Sequence, residues 1–209
     1  MPSAVLSIHP GLADNSRLPV LSRPGEGFQV RELLLLLFAG MTAALASVFL
    51  DFGLRIPGHA IIRAVFPMAL GLAAVPRQMA GSIMGVGALA TAATVGAGTQ
   101  AGLGAGALTS LTLTGPLLDL ALWRARKGWR LYLGFALAGL GANLAALAVR
   151  AGPKLLGLDV ARGRSLAEWL PRAVPSYLVC GLLAGLLSAA VWFQLAARRR
   201  QAADGETPS

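Results

Sequence analysis

The chain has 209 residues, of which 56% are hydrophobic and only 13% are charged. A soluble domain usually carries about 25% charged residues, so this composition excludes a water-solvated surface for most of the chain. The formal net charge is +9, from 18 Lys and Arg against 9 Asp and Glu. Because the basic residues cluster between apolar runs and beside the last one, they indicate membrane topology and contact with anionic lipid, not nucleic-acid binding.

Three segments follow from this distribution. Residues 1–30 are polar and carry four prolines, without the charged n-region and apolar core of a secretory signal. We predict a mobile cytoplasmic tail there. Residues 31–197 form the predicted six-span transmembrane domain, and residues 198–209 form a basic, then polar, cytoplasmic C-terminal tail.

Six apolar runs follow the first tail in chain order. Each is close to the length of about 20 residues that a helix needs to cross a bilayer. They cover about Leu33–Phe49, Ala60–Val75, Met79–Ala97, Leu103–Trp123, Leu131–Val149 and Val174–Ala196. The runs are continuous, without the alternation typical of membrane strands. The predicted fold is therefore all-α, a bundle of six transmembrane helices.

The longest connection lies before the last run. Within it Ser165 is followed three residues later by Glu168, a capping-box pattern that predicts a short interfacial helix. Trp169 suits the headgroup region. Six spans place both termini on one side of the membrane. The run Arg198–Arg200 beside the last span favours the cytoplasmic side, and we expect a multi-pass protein of the cell inner membrane.

Polar residues inside apolar spans are costly, and they are candidate functional sites by default. His59 and Arg63 are four residues apart, so they share one face of a helix near the predicted outer side. Asp119 is the deepest acidic residue, Asn143 interrupts the fifth run, and Tyr177 begins the sixth. We predict that these five residues bind a ligand.

Structural interpretations of the same residues stay open. Arg63 could extend to the interface and pair with Asp51. Asp119 could accept hydrogen bonds from a neighbouring helix, pair with Arg124, or take up a proton. The single cysteine, Cys180, excludes an intrachain disulfide, and its apolar surroundings predict a small buried residue.

Two further patterns bear on partners and chemistry. Ala39, Ala43 and Ser47 recur every four residues, a stripe that lets another helix approach closely, either inside the bundle or from a partner. The sequence contains no Walker A loop and no His, Cys and Glu cluster of metal-ligand spacing. We therefore predict neither an enzyme nor a bound cofactor or metal.

A family resemblance rests on two stretches. "PGHAIIRAVFPMALGLAAVPRQMAGSIMGVGALATA" (57–92) and "LTSLTLTGPLLDLAL" (108–122) resemble the substrate-binding S component of energy-coupling factor (ECF) transporters, across about residues 31–197. The resemblance implies a small vitamin-like ligand near the outer face. It also implies a transmembrane T component, which the stripe of Ala39, Ala43 and Ser47 would face, and two cytosolic ATPases.

One departure and one alternative qualify this expectation. Cobalt and nickel members use a histidine at the extreme N-terminus, whereas this chain begins "MPSAVLSIHP". A metal is therefore a less favoured ligand than a vitamin. The alternative function is a six-span scaffold or assembly protein, in which the basic inner loop and tail recruit a partner or anionic lipid.

Overall fold

The computed structural model describes residues 27–50, 58–75, 77–98, 103–124, 128–157 and 166–205. Most of the predicted N-terminal tail lies outside these residues, as does Asp51. The described chain folds into α-helices without any strand, which confirms the predicted all-α class. The helices are α1 (Val30–Phe49), α2 (Ala60–Ala74), α3 (Ala80–Gly98), α4 (Ala105–Arg124), α5 (Gly128–Leu155) and α6 (Leu166–Gly205).

The helices differ in their ability to cross a bilayer. Four of them, α1, α4, α5 and α6, are long and apolar enough to do so. The other two, α2 and the Ala80–Gly96 part of α3, are apolar but shorter. At 15 residues, α2 is about 22 Å long, less than the hydrocarbon core of about 30 Å. The apolar run that predicted a second span therefore forms a helix shorter than the hydrocarbon core of a bilayer.

Sequential helices run in opposite directions, and close glycine contacts fix their alignment. A Cβ atom on Gly115 of α4 would collide with the carbonyl of Gly81 in α3, and one on Gly85 would lie 3.0 Å from the Thr112 carbonyl oxygen. Residue numbers rise along α3 as they fall along α4, so the pair is antiparallel. Only residues without a side chain permit this backbone-to-backbone approach.

The last two helices pack in the same way. A Cβ atom on Gly139 of α5 would collide with the Gly181 carbonyl of α6 and lie 2.9 Å from the Gly185 nitrogen. One on Gly185 would collide with the Phe135 carbonyl. Helices α1, α3 and α5 therefore begin at one end of the bundle, which we call end A. Helices α2, α4 and α6 begin toward the opposite end, end B.

A charged contact ties two chain segments together at end A. Arg77, which precedes α3, forms an ion pair with Glu32 of α1 at 3.1 Å and donates a hydrogen bond to the Gly27 carbonyl. The Arg77 guanidinium also lies over the Phe28 ring. These contacts hold the starts of the parallel helices α1 and α3 side by side.

The short helix predicted before the last span is not a separate element. The chain from Leu166 to Gly205 is one helix of 40 residues, which includes Pro171 and Pro175. Both prolines are exposed. Proline has no N–H group, so the carbonyl four residues before each proline lacks its helical hydrogen bond, and it lies at the surface. On the opposite face, Ala173 and Tyr177 are buried in one cluster with residues of α5, and this packing continues the helix.

Helix α2 is the centre of the bundle. It packs against all five other helices, and Ile61, Met68 and Leu72 on it have no exposed surface. Ile61 shares a buried cluster with Ala142 of α5 and Cys180 of α6. The N-terminal end of α2 therefore lies about halfway along α5, not at the end of the bundle. Cys180 is free and buried, as its sequence surroundings predicted.

Candidate functional site

Three helices meet at the N-terminal end of α2. Gly58, just before α2, has a φ of +82°, a conformation that glycine adopts without steric cost. A Cβ atom on Gly58 would lie 3.0 Å from Cγ of Tyr177 and 3.1 Å from Nδ2 of Asn143. The chain thus begins α2 in direct contact with α5 and α6. We call Gly58, His59, Arg63, Asn143 and Tyr177 the mid-bundle cluster.

The predicted pairing of His59 and Arg63 on one helix face is confirmed. Nη2 of Arg63 lies 3.0 Å from Nε2 of His59, and Nη1 donates to the Leu50 carbonyl at the end of α1. A guanidinium has donors only, so Nε2 of His59 has to accept this hydrogen bond. The pairing predicted between Arg63 and Asp51 stays a prediction, because Asp51 lies outside the described residues.

Asn143 and Tyr177 contact the start of α2 at Gly58. Asn143 is 1% exposed and Tyr177 is 3% exposed. Nδ2 of Asn143 donates to the backbone carbonyl of Tyr177 at 2.7 Å, which fixes the orientation of the amide. Among the described residues, nothing donates a hydrogen bond to Oδ1 of Asn143, and the Tyr177 hydroxyl makes no hydrogen bond. Neither atom is among the fully buried polar atoms that lack a partner, so both reach the surface of the protein and are open to a ligand or to water.

Asp119 lies elsewhere. Its Oδ1 accepts the Gly81 N–H at 2.9 Å, and its Oδ2 accepts the Ser82 N–H at 2.7 Å and the Ser82 hydroxyl at 2.8 Å. The Asp119 carboxylate, which belongs to α4, therefore caps the first turn of the neighbouring helix α3. The partial positive charge at that end of α3 favours an anion. The sequence left this structural interpretation open beside ligand binding. Asp119 lies near end A, with much of α2 between it and the mid-bundle cluster.

The stripe of Ala39, Ala43 and Ser47 packs within the bundle. Ala43 is 0% exposed and Ser47 is 8% exposed, with its hydroxyl donating to the Ala43 carbonyl at 2.8 Å. Ala39 lies against Gly71 of α2. Ala43 and Ser47 therefore have almost no exposed surface in this arrangement, and the predicted contact of the stripe with a partner stays a prediction.

Comparisons with protein-family models, with curated proteins and with solved structures gave no match to this chain. Its function is therefore inferred from its own residues. Among the described residues, no group of three or more His, Cys, Asp or Glu side chains could hold a metal ion.

Sequence reasoning missed two contributors. Gly58 precedes the His59 pair directly, and the dipeptide Pro57-Gly58 was the available signal for a turn that starts a helix. Ser82 supplies two of the three hydrogen bonds to Asp119. It is separated from Asp119 by 37 residues, so no local pattern could reveal that contact.

Proposed function

We propose that this chain is a six-helix membrane protein that binds a small anionic solute at the mid-bundle cluster. The observation that carries the proposal is the contact between the N-terminal end of α2 and the buried pair Asn143 and Tyr177, about halfway along α5. This arrangement supports a solute site because it gathers polar groups from three helices inside a mostly apolar bundle.

The charges at the cluster favour an anion. The Arg63 guanidinium carries a positive charge, and it lies beside the His59 ring at the start of α2. The first backbone hydrogen bond of α2 runs from the Ile62 N–H to the His59 carbonyl, so the N–H groups of Ala60 and Ile61 precede it, and the helix dipole adds partial positive charge there. Tyr177 and Asn143 can complete hydrogen bonds to the uncharged part of a solute. A carboxylate or phosphate group fits this combination better than a cation does.

The partial length of α2 has a physical precedent in membrane transport. In many transporters, discontinuous helices end near the middle of the bilayer, and their N-termini point at anionic substrate groups. Helix α2 has 15 residues and begins beside Ala142 and Cys180, well inside the bundle. This depth supports a site that is reached from end B.

The outer surface supports a membrane location. Large apolar side chains are exposed on several helices, among them Phe38 (62%), Val86 (65%), Leu137 (54%) and Leu187 (51%). Such surfaces are unfavourable in water and favourable in lipid. In the proposed topology end A is cytoplasmic, both termini are on that side, and the membrane is the inner membrane.

The more specific proposal follows from the sequence resemblance. The chain would be the S component of an ATP-driven uptake system, delivering a vitamin-like solute with the help of a T component and two ATPases. A solute site within a helical bundle supports this role. Co-purification of the tagged chain with an ATPase module tests it, and a chain that transports alone in liposomes would contradict it.

The binding proposal is tested with paired ligands. Small carboxylates, each matched with its uncharged carboxamide, are screened by thermal unfolding of the purified protein in detergent. We expect a carboxylate to raise the melting temperature and its carboxamide not to, because ligand binding stabilises the native state by mass action.

Variants separate binding from folding in the same screen. Arg63→Gln and Tyr177→Phe should weaken the ligand-induced shift, and Arg172→Gln, a change at an exposed arginine of α6, should leave it intact. Tyr177→Phe keeps the packing of the ring, so its loss of binding cannot be assigned to unfolding. If neither anions nor their amides shift the melting temperature, the cluster is structural.

A further inference from the structure

A second site lies on the outside of the bundle, in a groove between α4 and α5 near end A. The groove encloses about 450 Å³. Its walls are formed by apolar side chains of both helices, chiefly Leu117, Leu120, Ala121, Leu133 and Leu137. Leu120, Leu133 and Leu137 are 47%, 46% and 54% exposed, so the groove opens to the surroundings of the protein.

The end of this groove is cationic and aromatic. Arg124 is the last residue of α4, and Arg130 lies in the first turn of α5; both line the groove together with Trp129. The Arg124 guanidinium lies 5.9 Å from the centre of the Trp123 ring, and that of Arg130 lies 6.0 Å from the Trp129 ring. Neither arginine forms an ion pair with a described carboxylate.

These two parts correspond to the two parts of a phospholipid. Arginine binds phosphate oxygens in bidentate geometry, and tryptophan is enriched at the level of lipid headgroups. An apolar groove continuing from that level toward the bundle centre matches an acyl chain. Basic pockets between membrane helices on the cytoplasmic side are known to take anionic headgroups.

We propose that the α4–α5 groove binds one anionic phospholipid, with its phosphate between Arg124 and Arg130 and an acyl chain along the leucines. The negative headgroup is required because two arginines that pair with no carboxylate in the described part of the chain line the same end of the groove. The inference rests on the membrane location of the protein, and it is independent of the solute site at the mid-bundle cluster.

Native mass spectrometry of the detergent-solubilised full chain tests this proposal. Phosphatidylglycerol and phosphatidylcholine with identical acyl chains are offered together. We expect one phosphatidylglycerol to be retained in preference. Its affinity should fall about thirtyfold in the double variant Arg124→Gln with Arg130→Gln, given the usual contribution of an arginine near an anionic membrane surface.

Two variants make the comparison specific. Arg150→Gln removes an arginine that also lies over a tryptophan, at 6.0 Å from the Trp169 ring centre, but at end B and outside the groove. It should retain the lipid. The double variant Arg124→Lys with Arg130→Lys keeps both charges and should retain most of the binding, which shows that any loss in the glutamine variant is not unfolding.

Three outcomes would overturn the proposal. Equal retention of the two lipids would show that the groove does not discriminate between headgroups by their charge. Equal affinities of the glutamine double variant and Arg150→Gln would place the lipid elsewhere. Competition by inorganic phosphate as strong as that by phosphatidylglycerol would show that the acyl chain contributes nothing, and that the two arginines form a plain anion site.

Discussion

Gly58 is constrained both by its backbone conformation and by the side chains next to it. Gly157 serves as a control that separates these two constraints. Gly58 and Gly157 both have positive φ, at +82° and +69°, so alanine at either position costs about 1–2 kcal/mol of backbone strain. Only at Gly58 would the added Cβ contact Tyr177 and Asn143, whereas nothing lies within 4 Å at Gly157. We expect Gly58→Ala to lower the free energy of unfolding by about 1–3 kcal/mol more than Gly157→Ala does.

The same pair tests the position of the solute site. Gly58→Ala should also abolish the carboxylate-induced rise in melting temperature, while Gly157→Ala should leave it unchanged. Equal effects of the two alanines on stability and on binding would mean that the N-terminal end of α2 does not touch α5 and α6 as closely as the structure indicates.

Asp119 provides a second test at the level of single residues. Asp119→Asn keeps the size of the side chain but removes its charge. It also replaces one of the two oxygens that accept hydrogen bonds from α3 with an NH2 group, which can only donate. Hydrogen bonds to charged groups contribute about 1.5–3 kcal/mol each, so we expect a loss of stability in that range. Ser82→Ala removes one of the three bonds to the carboxylate and should cost about 1.5 kcal/mol, the lower end of the same range.

Thermal unfolding in detergent measures both Asp119 effects, with carboxylate binding as the second readout. Binding should persist in Asp119→Asn, because the carboxylate contacts α3 and not the mid-bundle cluster. An Asp119→Asn protein of normal stability that no longer binds would identify the carboxylate as part of the solute site.

The individual residues show where sequence reasoning succeeds. A spacing of four along one helix predicts the contact between His59 and Arg63, because helix geometry alone brings those side chains together. The contact between Asn143 and Tyr177 joins two helices, and the capping of α3 by Asp119 joins two others. Such contacts depend on helix alignment, which single-sequence periodicity does not contain.

At the scale of the helices, glycine position decides how closely neighbours approach. Gly139 and Gly141 lie on the same helix, α5, but a Cβ atom would collide with the α6 backbone only at Gly139; at Gly141 the nearest atom is Leu117 Cδ1 at 3.6 Å. We expect Gly139→Ala to destabilise the protein by about 1–3 kcal/mol through overpacking. Gly141→Ala should be neutral or stabilising by up to about 1 kcal/mol, since alanine favours the helix.

Thermal unfolding of the two alanine variants in the same detergent checks this difference. A loss of stability at Gly141 as large as that at Gly139 would show that the close approach of α6 is not what requires glycine at position 139.

Helix boundaries illustrate what an apolar run can and cannot predict. The run Leu131–Val149 lies inside α5, which extends to Gly128 and Leu155, and the run Val174–Ala196 lies inside α6. Hydrophobicity marks the part of a helix that avoids water, whereas the backbone continues for as long as packing supports it. In α6 this packing begins before the run, at Ala173, and it carries the helix through Pro171.

At the scale of the whole molecule, the alternating helix directions place charge unevenly between the two ends. End A holds the described cations Arg31, Arg77, Arg124 and Arg130, while end B holds Arg150, Lys154 and Arg172. Arg198–Arg200 lie in the last part of α6, which runs toward end A. Cytoplasmic loops carry excess Lys and Arg, so end A is expected to be cytoplasmic.

Single-cysteine labelling tests this orientation in intact cells. Cys180, the one natural cysteine, is replaced by alanine, and a cysteine is then introduced at either Met79 or Leu156. These positions are 64% and 74% exposed, and they lie at end A and end B respectively.

We expect a membrane-impermeant maleimide to label Leu156→Cys from outside, and to label Met79→Cys only after the cells are opened. Labelling of both from outside would contradict a six-helix arrangement that crosses the membrane between the two ends. Labelling of Met79→Cys alone would keep the bundle but reverse its orientation, and it would move the predicted solute entry to the cytoplasmic side.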